Sequence, residues 1–271
     1  MERGELFAGR YRLDAETDSG ATGEAWRATE QGSNAVVALR RVRLSQLAPA
    51  EQGHARERLR AEVAVASLLD HPNIASVQRL VEHDGDPWLI GTYAPAPSLA
   101  ELAAAGPLPP NRAAAIGAQV AGALAYAHSP SLGVVHRAVT PRNIRVGGGD
   151  RTTLTGFGAM VGGNASPEAM AYLAPEVANG LEPGPQADVF SLGAALYAAV
   201  EGRSPWGDGD PEQIRTAARR GVVEPPRRSG PLGPVLMRML ESRPRERPSA
   251  ADAARMLTEV AGDERAGRHQ P

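Results

Sequence analysis

The hydrophobic pattern of this chain changes character once. Up to Tyr93 it reads mainly as short extended segments: Arg10 to Leu13, Ala25 to Ala28, the β-rich run Ala35 to Leu44, then Val77 to His83 and Pro87 to Tyr93. One helix interrupts them, Glu51 to Leu69, with Leu59, Val63, Ala66 and Leu69 at helical spacing. Beyond Tyr93 the period is helical. Asn111 to Ser129 carries Ile116, Val120 and Leu124 along one face, and Gln186 to Glu201 is strongly apolar, with Val189, Leu192, Leu196 and Val200 in one stripe. Shorter helical pieces follow at Ile214 to Ala218 and Pro231 to Leu240. A chain ordered in this way is α+β, with a helix-rich second half.

Turn signals mark the joints. Asp14 to Gly23 reads as a turn of small and polar residues, and Asp84-Gly85-Asp86 turns a hairpin. Pro72 ends the first helix, because the residue before a proline is pushed out of the helical region. Pro95, Pro97, Pro107, Pro109 and Pro110 punctuate the passage into the helical part. Ser249 and Asp252 form a capping box for a last helix to about Val260, and 262–271 reads as a polar, flexible tail.

Composition narrows the function classes. The formal net charge of −2 gives no reason to expect nucleic acid or an anionic membrane as partner. There is no Cys, which excludes disulfides and thiolate metal sites. The longest apolar stretch, Ala113 to Ala127, is broken by Gln119 and too short to span a bilayer. MERGEL does not read as a signal sequence. A cytoplasmic protein with no membrane segment in this chain is the expectation. All 29 basic residues are Arg, with no Lys.

Short motifs then recur in a fixed order. Asp18-Ser19-Gly20-Ala21-Thr22-Gly23 precedes an extended segment; by itself this reads equally well as a plain hairpin turn. Ala38 and Arg40 lie on the β-rich run, and Glu62 on the first helix, where a surface ion pair is the simpler reading. His71-Pro72-Asn73-Ile74 closes that helix. The stretch His136 to Gly158 reads HRAVTPRNIRVGGGDRTTLTGFG, followed by Tyr172-Leu173-Ala174-Pro175-Glu176, Asp188 within Asp-Val-Phe-Ser-Leu-Gly, and Arg243 to Ser249.

In that order and spacing, over about 240 residues, the chain resembles a bacterial Ser/Thr protein kinase of the eukaryotic type. The resemblance implies a bilobal fold: an N-terminal extension (1–9), a small β-rich lobe with one helix (10–93), and a larger helical lobe (94–261). It also implies roles. Tyr93 and Ala94 take the hinge that meets adenine, and Gly91 the gatekeeper, where a larger residue is usual. Arg145 stands where an apolar residue normally lies under adenine, and is expected either to turn away or to fill the pocket. Asp18, Gly20 and Gly23 correspond to the glycine loop over the phosphates, with a carboxylate at its first glycine. Arg40 takes the phosphate-binding Lys position and Glu62 its helix partner. His136, Phe157, Glu176, Asp188 and Arg247 correspond to anchors of the large lobe, with Glu176 paired to Arg247.

The departures fall on the chemistry. The two Asp of the family's catalytic and metal-binding motifs are replaced by Ala138 and Gly156, and the catalytic-loop Lys by Thr140; Asn143 remains. Between Phe157 and Tyr172 the only hydroxyl side chain is Ser166, and Ala169 replaces the usual Thr, so switching by loop phosphorylation is poorly supported. Glu168 is the only other acid near the expected site. The resulting expectation is a degenerate kinase fold, a pseudokinase and not an enzyme. It would signal by binding another protein, such as an active kinase, with no catalytic residues, no metal and no cofactor. Two alternatives stay open: a sensor that binds ATP without magnesium and without phosphotransfer, and a weakly active ATP-dependent Ser/Thr kinase.

Overall fold

The computed structural model describes residues 1–18, 24–44, 47–158, 167–207 and 209–267. The chain divides into two compact units. One comprises Met1–Ala94 and the segment beginning at Gly156; the second comprises Pro95–Thr155 and the chain from Pro167 onward.

The first unit is a six-stranded sheet with one helix. Its elements are β1 (Leu6–Phe7), β2 (Tyr11–Asp18), β3 (Ala25–Glu30), β4 (Val36–Arg41), α1 (Pro49–Ala66), β5 (Val77–His83) and β6 (Asp86–Thr92). The strands are antiparallel in the order β1-β2-β3-β4-β6-β5. Alternation drives the pairing. Tyr11 and Leu13 on β2, Trp26 and Ala28 on β3, and Val37 and Leu39 on β4 all turn inward, joined by Trp88 and Ile90 of β6. Phe7, within the segment expected to be an N-terminal extension, is fully buried here, with its ring 5.0 Å from that of Trp88.

β2 runs on through Asp14–Asp18, where the sequence predicts a turn. Two register shifts absorb the polar stretch, and the Thr29 hydroxyl donates to the Asp14 carboxylate across the pair at 2.8 Å. The β5–β6 hairpin closes on two residues, Asp84 (φ 49°) and Gly85 (φ 81°), the positive-φ pair that suits the twist of such hairpins. Asp86 is already in the strand, buried, and accepts from the Arg41 guanidinium at 2.7 Å. α1 buries Ala55, Leu59, Val63 and Ala66 at helical spacing; Leu69 is also buried, beyond the helix end.

The second unit is helical. It contains α2 (Leu99–Ala104), α3 (Pro110–Ala127), the two-stranded ribbon β7 (Ile144–Val146) and β8 (Thr152–Leu154), then α4 (Pro167–Met170), α5 (Pro175–Ala178), α6 (Pro185–Glu201), α7 (Pro211–Arg220), α8 (Leu232–Met239) and α9 (Ala250–Gly267). α6 is buried nearly all round, as its composition requires, and stops at Gly202 in the left-handed region (φ 78°). α3 approaches it closely at Gly117, where a Cβ would meet Leu196 at 2.5 Å and Leu257 of α9 at 3.2 Å. α2 was marked only by its prolines; its start is a Ser98–Glu101 capping box. The Ser249–Asp252 box opens α9 as expected. That helix continues past Val260 to Gly267, since Glu, Arg and Ala favour helix even where the sequence is polar.

Candidate active site

Asp188, in the first turn of α6, organises the loop that begins at His136. Its carboxylate is 1% exposed. Oδ2 accepts from the His136 backbone N–H at 2.7 Å and from His128 Nε2 at 2.8 Å; Oδ1 accepts from the Arg137 backbone N–H at 2.8 Å. A buried carboxylate is stable only when paired or hydrogen-bonded, and three donors meet that need. The clasp also supports Arg137 at φ 66°, a conformation that costs a side-chain-bearing residue about 1–3 kcal/mol.

His136 then locks the loop from inside. Its Nδ1 accepts from the Ala138 backbone N–H at 3.1 Å, and its Nε2 donates to the Thr155 carbonyl at 3.0 Å. That pattern places the ring proton on Nε2. The Asn143 side chain donates from Nδ2 to the Ala138 carbonyl at 2.8 Å, and the Thr155 backbone N–H returns to the Asn143 carbonyl at 2.8 Å. Ala138, Thr140 and Asn143 are thus presented by a loop with a fixed backbone. Thr140, extended, precedes the 3-10 turn Pro141–Asn143, and its carbonyl accepts from the Asn143 N–H at 3.0 Å.

Arg145 lies on β7, half-buried between buried Ile144 and Val146. Its guanidinium donates to the Ala96 carbonyl at 3.3 Å and lies 3.6 Å from Glu101 Oε2. Glu101 is held below the usual carboxylate range by the backbone and then the hydroxyl of Ser98, with Arg145 and Arg142 adding to this.

A second set of anchors lies at Glu176 and Arg247. All five guanidinium N–H groups of Arg247 are used. Two meet the Glu176 carboxylate side by side at 2.6 and 2.7 Å, and the others go to the carbonyls of Glu241, Gln186 and Ser242. The guanidinium lies 4.8 Å over the Phe190 ring, which stacks on Trp206.

In the first unit, Ala38 of β4 pairs directly with Gly91 of β6, and Arg40 with Leu89. Arg40 and Glu62 are both half-buried, on β4 and α1. Gly91 has a structural reason the sequence did not suggest. A Cβ there would sit 2.5 Å from the Ser76 carbonyl oxygen, which accepts from the Thr92 N–H beside an irregularity in β5. Tyr93 and Ala94 end the unit, both half-buried. Gly156 takes φ 96°, and Phe157 is fully buried. Gly20, Gly23, Ser166 and the side chains of Asp18 and Glu168 lie outside the described residues.

Magnesium fits this donor set poorly. It is held by hard oxygen ligands, commonly carboxylates, and Asn143 offers one neutral carbonyl. Among the described residues no group of three or more His, Cys, Asp or Glu side chains could hold a metal ion. Sequence reasoning missed three contributors here: His128, the Thr155 carbonyl and Glu101. His128 lies 60 residues from Asp188 along the chain, and no local pattern joins such partners.

Comparison with known proteins bears on all of this. Residues 11–257 match the family described as Protein kinase domain. The chain is 33% identical to the serine/threonine-protein kinase PkaA of Streptomyces coelicolor, over 93% of this chain and 50% of that protein. It is 32% identical to PknA of Mycobacterium tuberculosis, over 86% of this chain and 55% of that one. The chain therefore spans about half the length of these curated relatives. The crystal structure of the M. tuberculosis PknI kinase domain superposes with a TM-score of 0.75 at 29% identity, covering 96% of this chain and 99% of that one. The expected bilobal fold, with a β-rich N-lobe and a helical C-lobe, is the fold found. The expectation that the chain is not an enzyme is corrected: relatives at 30–33% identity over most of the chain are Ser/Thr protein kinases, which points to a kinase. No helix among the described residues is long and apolar enough to cross a membrane. Fold, motif order and relatives agree, and the chain belongs to the protein kinase domain family.

Proposed function

We propose that this chain is a weakened, ATP-dependent Ser/Thr protein kinase that also signals by binding a cytoplasmic partner protein. The observation that carries the reading is the Asp188–His136 clasp. It holds the catalytic loop in place, while the side chains the loop presents are Ala138, Thr140 and Asn143. Positioning survives and charge chemistry is reduced. Phosphoryl transfer depends on both.

Magnitudes set the expected rate. A missing general base costs about 10² to 10⁴ in rate, and a missing electrostatic stabiliser about 10² to 10³. These losses do not multiply cleanly. Against turnover of about 1–100 s⁻¹ for protein kinases, the domain should work roughly 10⁴-fold more slowly. Because the donor set does not suit magnesium, ATP should bind with little dependence on that ion.

The test is transfer of labelled phosphate from ATP to a generic Ser/Thr protein substrate. Slow incorporation that Ala138→Asp raises by about 10² supports the reading. No incorporation by either protein over prolonged incubation would overturn it. A thermal-shift titration with ATP, with and without magnesium, tests the nucleotide claim; stabilisation only when magnesium is present contradicts it.

A further inference from the structure

The end of α3 and the start of the catalytic loop lie side by side. His128 closes α3, with its backbone N–H still bonded to the Leu124 carbonyl at 2.8 Å. The chain then turns through Gly133, at φ 63°, whose N–H donates to the Ser129 carbonyl at 2.8 Å. The Val134 N–H returns to the Ala127 carbonyl at 2.8 Å, so the segment entering His136 runs back along the last turn of the helix. The His128 imidazole, 8% exposed, meets the Asp188 carboxylate, 1% exposed. Oδ2 of Asp188 is shared between His128 Nε2 at 2.8 Å and the His136 backbone N–H at 2.7 Å, while Oδ1 holds the Arg137 N–H.

We infer that His128 is a positioning residue for the catalytic loop: it fixes the Asp188 carboxylate from the α3 side and so sets the placement of Ala138 and Asn143. The consequence for rate rests on the kinase reading above; the consequence for the loop rests on geometry alone. The last torsion of an Asp side chain has a broad minimum, so a donor held by a helix end narrows where its two oxygens can sit. Those oxygens hold successive backbone N–H groups, the second on Arg137 in its positive-φ conformation. The path onward is continuous. His136 Nδ1 accepts from the Ala138 N–H at 3.1 Å, and the Ala138 carbonyl accepts from the Asn143 side chain at 2.8 Å. Burial of both His128 and Asp188 strengthens the first link, because water does not compete for it.

The experiment compares wild type with His128→Gln and His128→Asn. The Gln amide nitrogen reaches about as far as Nε2, and the Asn amide is one methylene shorter, so the two variants share polarity and differ in reach. Hydrogen exchange of the backbone amides is read alongside phosphate transfer from ATP, and thermal melts confirm that all three proteins are folded. In His128→Asn the His136 and Arg137 amides should exchange about tenfold faster, the loss expected for one buried hydrogen bond, with α6 amides unchanged. Turnover should fall by about the same factor, with KM for ATP and for a Ser peptide within about twofold of wild type. His128→Gln should recover most of both effects. Loop exchange unchanged in His128→Asn, protection lost evenly across the whole unit, or no recovery in His128→Gln would overturn the inference. Loop protection lost in His128→Asn and regained in His128→Gln, with no transfer by any of the three, would support the inference and count against the kinase reading instead.

Discussion

Single residues in this chain separate holding a site from doing chemistry at it. Arg247 is the clearest case on the holding side. Its side chain is fully buried and its charge is met by Glu176 in a two-pronged pair. Lys cannot reproduce that fork, so Arg247→Lys should cost about 3–5 kcal/mol, read by urea unfolding, by leaving Glu176 and three carbonyls poorly matched. Gly91 makes the opposite point. A larger residue is usual at this position in the family, but here the Ser76 carbonyl approaches the Gly91 backbone. Gly91→Ala should therefore destabilise the first unit by about 1–3 kcal/mol, where an open cavity would have accepted a methyl group at no cost. A thermal melt decides between the two. On the chemistry side, Ala138 and Thr140 were legible from the motif alone, because motif positions are read by spacing. The support beneath them was only partly so. Asp188 and His136 carry motif signals, whereas His128 and the Thr155 carbonyl act across distances the local sequence does not encode.

At the scale of elements, helices were easier to read than strands and loops. α1, α3 and α6 follow from apolar spacing, because burial on one face imposes the period. The long β2 did not, since its outer half is polar and is held by pairing with β3 and by Thr29. The connection after α6 was likewise opaque. Glu201, at the helix end, receives the backbone N–H groups of Arg227 and Arg228 and the Ser229 hydroxyl, at 3.0, 2.8 and 2.8 Å. Burial alone would raise its carboxyl. The three hydrogen bonds outweigh that and hold it below the ordinary value of 4.5. A folded-state value below the unfolded one contributes stability at neutral pH, and this is lost as pH falls below about 4.5 and through the depressed value. Glu201→Gln should lower stability at pH 7 by about 1–2 kcal/mol and flatten its decline on acidification. Identical acid sensitivity in the two proteins would contradict this.

For the molecule as a whole, the order of motifs from Gly20 to Arg247 was the readable feature, and the family match over 11–257 agrees with it. Fold class followed because each motif marks one structural joint, and their sequence admits few alternatives. Activity did not follow with the same force. The reading that lost acidic groups mean no enzyme is overturned by the relatives, Ser/Thr protein kinases at 30–33% identity over most of the chain. The account that remains is a scaffold kept intact around a catalytic loop with diminished charge. Its most direct test is the rate of phosphate transfer from ATP by wild type, Asn143→Ala and Ala138→Asp under one set of conditions. A slow wild-type rate, lower still in Asn143→Ala and about 10²-fold higher in Ala138→Asp, is the predicted result. A rate the same in all three, or none in any, would contradict it.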